Sequence, residues 1–325
     1  MSYLTLALGP VVAIFFFFRI KDRYDKEPFR RLILTAGIGA LSAIPVVIVE
    51  MLWGHTLLDA SSLSIQELSF MAFVEIGITE EFFKAVAFFS TAYWSKHMNE
   101  PYDGLIYSVS AALGFAAVEN VLYVISGGIL TAVVRAITAV PAHAMFGTFI
   151  GYFAGRAKFS KHPALKPILI LFGFTISVFA HGLYDLIALW PEPLTWLWLI
   201  PLLGAMVVVS LLLIRDARKR SPFRPAVDAD NKYTGYTVSG EPLSPEMIAK
   251  LEKEARKHER HSQLISPVVK DVSRPDEASD VIQEQAKNQL TNPEESQIIP
   301  PQESESGEDN SKGKKPYFLD DYFKN

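Results

Sequence analysis

Thr79-Glu80-Glu81-Phe82-Phe83-Lys84 places two adjacent carboxylates and a lysine inside a run that is otherwise apolar from Phe70 to Trp94. That run is long enough to cross a bilayer as a helix, and Glu75 adds a fourth charge one turn earlier. Each charged side chain near the bilayer centre costs on the order of 2.5–3.5 kcal/mol, so the four together oppose insertion by roughly 10 kcal/mol. We therefore expect these side chains to face a polar cavity inside a helix bundle.

The spacing of these charges along a helix predicts how they pair. Lys84 lies four residues after Glu80 and three after Glu81, so it can neutralise one acid and leave the other available. The alternative is an ion pair that only fixes helix packing, for which one glutamate would be enough. The surplus acid favours a functional site.

Composition divides the chain of 325 residues into two unlike parts. Residues 1–220 contain long apolar segments, whereas residues 221–325 are rich in proline, glutamate, serine and lysine. The sequence therefore predicts a membrane-embedded domain over 1–220 and a polar, largely disordered C-terminal tail over 221–325, with a possible helix at 244–265. Such a tail could bind a cytoplasmic partner. The absence of cysteine excludes disulfides, thiolate chemistry and cysteine metal sites.

About seven apolar segments are long enough to span a membrane. They cover approximately residues 3–20, 32–53, 70–94, 104–126, 129–155, 167–190 and 194–214. Basic residues are concentrated in alternate connections, which places the N-terminus outside and the C-terminus in the cytoplasm. We expect an all-α fold, a polytopic membrane helix bundle of about seven transmembrane helices in the plasma membrane.

Further polar residues interrupt the later segments. They are Glu119, Arg135, His143, His181 and Asp185. His181 and Asp185 lie one turn apart on one helix face. With a rise of about 1.5 Å per residue, these groups and the paired glutamates mostly gather in the outer half of the membrane, although their helices run in opposite directions. We expect a water-filled pocket that opens outward.

Carboxylates and imidazoles in such a pocket suit the activation of water. A carboxylate in an apolar cavity is a competent base near neutral pH, and a histidine can orient water or donate to a developing oxyanion. The same side chains could equally bind a divalent metal such as zinc, in which case Glu80, His143 and His181 are the expected ligands. The usual H-E-x-x-H signature of zinc proteases is missing. The sequence leaves open whether the site uses a metal or no cofactor.

Four motifs occur in order on successive segments: Glu80-Glu81-x-x-Lys84, Phe115-x-x-x-Glu119, Pro141-x-His143 and His181-x-x-x-Asp185. Together they resemble the PrsW family of intramembrane proteases, within the wider group of CAAX prenyl proteases and Abi proteins, over about residues 1–220. The resemblance implies an intramembrane endopeptidase of regulated intramembrane proteolysis in a stress response. Such an enzyme makes the first, site-1 cut, on the extracytoplasmic side of a single-span substrate such as an anti-sigma factor. No nucleic-acid partner is expected.

The resemblance also implies roles for individual residues. Glu80 is the expected general base that activates water, and Glu81 supports it together with Lys84. The full expected set is Glu80, Glu81, His143 and His181 as catalytic residues, with Lys84, Glu119, Arg135 and Asp185 as supporting residues.

Other functions stay open at this point. The same residues would serve a CAAX-type peptide protease or an immunity protein. Outside enzymes, buried charges could form the ion or proton path of a transporter, or the protein could be a non-catalytic membrane scaffold. Glycine-broken helices at matching positions in two halves would favour transport, but the sequence offers only Gly127-Gly128, in a connection.

Overall fold

Apolar helices build the first of two units into which the chain divides, Met1–Arg224 and Pro225–Asn325. A computed structural model describes residues 3–54, 62–192, 194–227, 233–251 and 253. The helices are α1 (Tyr3–Lys21), α2 (Phe29–Leu41), α3 (Ala43–Trp53), α4 (Ile65–Phe70), α5 (Thr79–Phe88), α6 (Pro101–Ile137), α7 (Ala139–Lys158), α8 (Leu165–Ala188) and α9 (Leu199–Lys219). Two π-helical segments, Met71–Ile78 and Phe89–Tyr93, flank α5, and a 3₁₀ turn, Thr195–Trp198, precedes α9. The all-α prediction is confirmed.

Five helical stretches in the described part of the chain are long and apolar enough to cross a membrane. They are Leu4–Lys21, Phe29–Trp53, Pro101–Lys158, Leu165–Ala188 and Thr195–Lys219. The third is 58 residues long and turns back at Gly128. The φ angle of this residue is 74°, which glycine adopts without the steric strain that a side chain would cause. Arg135 Nε consequently returns to within 2.8 Å of Asn120 Oδ1. If both arms of this hairpin and the charged run from Ile65 to Tyr93 are counted, the described residues contain seven helical segments, the number predicted.

Two predicted segments are each divided into two helices. Residues 32–53 break at Ser42 and residues 129–155 break at Thr138, which has φ −119° and ψ −74°. In both places a proline lies three residues further on, Pro45 and Pro141. A proline cannot donate a hydrogen bond to the carbonyl four residues earlier, and its ring clashes with that carbonyl. The carbonyls concerned belong to the last residues of α2 and α6, so each proline marks the start of a new helix.

The first half of α6 is the buried centre of the first unit, and small residues bring its neighbours close. A Cβ on Gly39 of α2 would overlap the backbone of Ala111, and one on Gly114 would overlap that of Ala36. Gly104 lies equally close to Gly151 of α7. Small residues at these crossings are typical of helices that pack within a membrane.

Large apolar side chains cover the outer faces of the other helices. Examples with more than half of their surface exposed are Leu41, Ile48, Ile168, Leu171, Val208 and Leu212. Such faces suit contact with lipid, as expected for a multi-pass membrane protein.

A second set of buried charges lies where the α1–α2 connection meets the start of α6. We call it the carboxyl cluster; it consists of Asp22, Glu27, Glu100 and Asp103, each at most 2% exposed. Asp22 Oδ2 accepts hydrogen bonds from Arg19 Nη1 and from the backbone N–H of Glu27, both at 2.9 Å. Asp103 Oδ2 accepts the backbone N–H of Glu100 at 2.7 Å, which caps α6.

Burial changes the acidity of the cluster members that lie in the connections. It raises the pKa of Asp22 to about 6, that of Glu27 to about 7 and that of Glu100 to about 8, because the charged form loses solvation. Hydroxyl donors oppose the shift at two of them: Tyr107 donates to Glu27, and Ser221 donates to Glu100.

The second unit contains a small antiparallel pair of strands, β1 (Pro225–Val227) and β2 (Tyr233–Thr237), which was not predicted. β2 is rich in threonine and tyrosine, which favour strands. Residues 245–251 are helical, and Ser244 Oγ accepts the backbone N–H of Met247 at 3.2 Å, as a helix cap does. The rest of the predicted helix 244–265 and most of the predicted disordered tail lie outside the described residues. The units divide after Arg224, against a predicted boundary at 220.

Candidate active site

The charged side chains of this stretch lie in the first turns of α5 and are buried. Glu80 is 6% exposed, Glu81 0% and Lys84 3%. π-Helical segments lie immediately before and after α5, and such segments occur frequently at functional sites. The four charges that oppose membrane insertion are therefore held inside the bundle, as predicted.

Lys84 is the cation around which the site is assembled. Its Nζ lies 2.8 Å from Glu80 Oε2, 2.9 Å from Glu81 Oε1 and 3.0 Å from His143 Nδ1. An ammonium group has three N–H donors, and these three contacts use all of them. The Nζ also lies 4.4 Å from the centre of the Phe115 ring. The expectation that Lys84 neutralises one acid and leaves the other is therefore wrong, because it contacts both.

Glu81 is surrounded by donors from two helices. Besides Lys84, His181 Nδ1 lies 2.8 Å from Glu81 Oε1, and Ser177 Oγ donates to Oε2 at 2.7 Å. Ser177 also lies 3.1 Å from the carbonyl oxygen of Phe146. The Glu81 carboxylate thus joins α5 to α8 and has both oxygens occupied.

Glu80 has a different environment although it is the next residue. Its Oε2 contacts Lys84 and lies 3.6 Å from His181 Nε2. Within the described part of the chain, no donor contacts Oε1, and the side chain lines a cavity. Glu80 therefore offers an acceptor atom to whatever enters that cavity.

His143 on α7 connects Lys84 to a second ion pair. Since an ammonium group can only donate, Nδ1 of His143 accepts, and the ring proton lies on Nε2. That Nε2 is 2.7 Å from Glu119 Oε2. The other oxygen of Glu119 lies 2.9 Å from Arg135 Nη2. Arg135 packs over the Tyr123 ring at 4.0 Å, so the orientation of Glu119 is fixed from the hairpin.

His181 on α8 faces carboxylates through both ring nitrogens. Nδ1 contacts Glu81, and Nε2 lies 3.2 Å from Asp185 Oδ2. A ring with protons on both nitrogens satisfies both contacts. The ring stacks on Phe146 with 4.6 Å between centroids and an angle of 16°. The centroids of the two histidine rings are 5.5 Å apart.

A cavity of about 1020 Å³ lies next to these side chains. Six of the predicted site residues line it: Glu80, Glu119, Arg135, His143, His181 and Asp185. Glu81 and Lys84 do not line the cavity, but they contact residues that do: Lys84 contacts Glu80 and His143, and Glu81 contacts His181. The structure thus brings all eight predicted residues into one connected group, although they come from four separate helices.

Sequence reasoning missed two residues of this group. Glu50 on α3 lines the cavity, and its charge inside the predicted segment 32–53 was a signal that could have found it. Ser177 carried no such signal, because a serine in an apolar helix commonly bonds to its own backbone. Its hydrogen bond to Glu81 is visible only in the structure, where α8 packs against α5.

Three side chains are spaced closely enough to hold a metal ion together. Glu80, Glu119 and His143 each offer a ligand atom, and these atoms lie within 4.8 Å of one another. Carboxylate oxygen and imidazole nitrogen suit zinc, so the residues fit in type and in spacing. Glu119 takes the place expected of His181 in this group. An ion bound to Nε2 of His143 would replace the proton that now faces Glu119.

Comparison with known proteins gives a consistent result. Residues 27–214 match the family described as PrsW family intramembrane metalloprotease. A protein named Protease PrsW from Halalkalibacterium halodurans is 38% identical over 213 residues, which cover 65% of this chain and 92% of the relative. The Protease PrsW of Bacillus subtilis is 31% identical over 67% of this chain and 95% of its own length, and that of Clostridioides difficile is 32% identical over 63% and 84%. No solved structure gives a significant match. The chain belongs to the PrsW family and is an intramembrane protease.

Proposed function

We propose that this protease makes the first, extracytoplasmic cut in a single-span membrane protein of the anti-sigma factor class, with water activated by Glu80. The observation that supports this role is the contrast between adjacent glutamates. Glu81 accepts from three donors, whereas Glu80 lines the cavity with an oxygen that no described donor contacts. A general base needs such an accessible acceptor within hydrogen-bond reach of the water.

The chemistry follows from the positions of the side chains. Glu80 accepts a proton from water while the water oxygen forms a bond to the scissile carbonyl carbon and the carbonyl π electrons move onto oxygen. His181 lines the cavity with protons on both ring nitrogens, so its positive charge lies beside that oxyanion and stabilises it, while the N–H of His143 stays bound to Glu119. When the C–N bond breaks, Glu80 returns the proton to the leaving nitrogen. Lys84 stays bound to both glutamates, and its single positive charge balances Glu81 once Glu80 has taken up the proton.

The remaining residues position the histidines. Glu119 and Arg135 hold His143 from the hairpin side, and Glu81 and Asp185 hold His181 from α5 and α8. Because every orienting carboxylate is itself buried or paired, the rings have little freedom to rotate. A fixed imidazolium such as His181 stabilises a developing negative charge without reorganisation.

A divalent metal is implied by the family's description as metalloproteases. Glu80, Glu119 and His143 would hold it. Bound there, it would polarise the substrate carbonyl and acidify a coordinated water.

The substrate class and the side of cleavage are supported by the sequence pattern and the cavity mouth. Basic residues in alternate connections favour an outside N-terminus and a cytoplasmic C-terminus. The cavity lining also includes the apolar side chains of Leu130, Val134, Trp196 and Leu199, which suit a segment that enters from the membrane. The resemblance to PrsW proteins in the order of the four motifs supports the anti-sigma factor class.

The test is cleavage by the purified protein in nanodiscs, with a single-span substrate carrying an anti-sigma factor transmembrane segment. Glu80→Gln is expected to lower the rate by roughly 10²–10⁴-fold, the usual contribution of a general base, with an unchanged Tm. Lys96→Ala, exposed in a connection, is the control and should cleave normally. A Glu80→Gln variant that cleaves like the parent, or a cut on the cytoplasmic side, would overturn the proposal. A chelator arm decides whether a metal is required.

A further inference from the structure

A smaller cavity of about 370 Å³ lies apart from the candidate active site. Its lining is Tyr93, Trp94, Lys158, Lys166, Pro167 and Ile170. Tyr93 and Trp94 lie shortly after α5, the helix that carries the paired glutamates. The other four residues lie at the end of α7 and the start of α8. The two cavities share no lining residue among those described.

The charge of this second cavity is positive. Among the described residues, two lysines line it and no carboxylate does. Lys158 Nζ donates to the carbonyl oxygens of Tyr93 at 2.6 Å and Ser95 at 3.0 Å, which are neutral acceptors. Glu27 and Asp103 attract Lys158 electrostatically. Lys166 is half-buried in the first turn of α8. Of the two lysines, it is therefore the one that would pair most directly with a bound anion.

The position of the cavity identifies the source of the anion. Lys158 is the last residue of α7, and Lys166 is the second residue of α8, so both mark the ends of membrane-spanning helices. Trp94 is 82% exposed beside the buried Tyr93, as expected of residues at the membrane–water interface. Basic pockets between transmembrane helices at this level bind lipid head groups.

We propose that this cavity binds the phosphate of an anionic phospholipid. Lys166 and the third N–H of Lys158 face the phosphate, while Pro167, Ile170 and Trp94 contact the glycerol and the start of the acyl chains. A lipid in this place would join the helix that carries Glu80 and Glu81 to the helix that carries His181. The site goes beyond the proposed protease function and is occupied whether or not a substrate is cleaved.

The experiment measures lipid retention by the full-length protein. Protein is exchanged into detergent containing equal amounts of phosphatidylglycerol and phosphatidylcholine, and bound lipids are quantified by native mass spectrometry. The unaltered protein is expected to retain phosphatidylglycerol preferentially. Lys166→Gln should weaken this preference about fivefold, the contribution of one basic residue near an anionic lipid surface, and Lys166→Arg should keep it. Lys161→Gln removes an exposed lysine of the same connection that does not line the cavity, and should have no effect.

The outcomes separate this site from its alternatives. If Lys166→Gln and Lys161→Gln weakened the preference for phosphatidylglycerol equally, the proposal would be overturned in favour of diffuse attraction to the basic end of the bundle. No preference between the two lipids would also overturn it. Displacement of phosphatidylglycerol by inorganic phosphate at similar concentration would show a free-phosphate site and contradict the lipid assignment.

Discussion

The candidate active site and the carboxyl cluster both bury acids, but they balance them differently. In the site, Lys84 lies 2.8 Å from Glu80 and 2.9 Å from Glu81, and Arg135 lies 2.9 Å from Glu119. In the carboxyl cluster, a hydroxyl or backbone donor binds each of the four acids, and Arg19 is also paired with Asp22. A buried charge needs a partner of opposite sign or must be neutralised by a proton. The site therefore balances its acids with cations, whereas the cluster binds its acids mainly through hydrogen bonds from hydroxyl and backbone donors.

The largest expected effect comes from removing the central cation of the site. Lys84→Met leaves Glu80 and Glu81 without the ammonium group that they share, and breaking a buried pair costs about 3–5 kcal/mol. Cleavage should be lost together with much of the stability, measured as the free energy of unfolding in detergent. Lys96→Ala removes an exposed lysine and should cost nothing measurable. A Lys84→Met protein as stable as the parent would show that the charges are not paired as described.

A smaller effect is expected at Ser177, which gives one of three donors to Glu81. Ser177→Ala should cost about 1–2 kcal/mol in the free energy of unfolding. It should lower kcat with little change in KM, because Glu81 lies beneath the cavity lining. Ser177→Thr keeps the hydroxyl and should restore much of the loss.

Ser210→Ala is the matched control for that variant. Ser210 is also a buried serine on a membrane helix, and its Oγ has no hydrogen-bond partner among the described residues. Its removal should leave both stability and kcat unchanged. Equal effects of the two substitutions would mean that Ser177 only fills space.

The smallest effect is expected in the carboxyl cluster and depends on pH. The pKa values of Asp22, Glu27 and Glu100 are raised to about 6, 7 and 8, so the folded protein holds these protons more tightly than the unfolded chain. Their stabilising contribution is complete below about pH 4, the ordinary range of carboxyl groups, and is lost as the pH rises through 6 to 8. Each proton contributes a slope of at most about 1.4 kcal/mol per pH unit.

Glu100→Gln is the variant that tests this slope. It mimics the protonated acid, so it should be close to neutral near pH 4 and should flatten the decline in unfolding free energy from there towards pH 8. Glu192→Gln, exposed in a connection, should leave the slope unchanged. A Glu100→Gln protein much less stable at pH 6 would show that the cluster, like the site, depends on an ionised acid.

The sequence predicted those features that depend on one segment at a time. The apolar runs identified the helices, and the spacing of Glu80, Glu81 and Lys84 predicted an ion pair on one helix, although not that Lys84 contacts both acids. It also identified the hairpin at Gly127-Gly128, where a positive φ requires glycine. Pro45 and Pro141 were visible signals for the breaks at Ser42 and Thr138, but the length of each apolar run suggested an uninterrupted span.

Contacts between side chains on different helices could not be predicted from the sequence. The pairing of Arg135 with Glu119 requires the hairpin to be folded, and the contact of Ser177 with Glu81 requires α8 to lie against α5. The π-helical segments around α5 have no distinct side-chain pattern, because the same apolar residues also suit an α-helix. Packing between segments decided each of these features.

Solvent access to neighbouring positions tests the central claim most directly. Because the chain has no cysteine, single cysteines can be introduced without removing others. Glu80→Cys and Ser177→Cys, in intact cells, are treated with a membrane-impermeant thiol reagent from outside. We predict that the thiol at position 80 reacts, because it lines the cavity that we propose opens outward, and that the thiol at position 177 is protected. Equal labelling of both, or labelling at position 80 only after the cytoplasm is opened, would contradict the account.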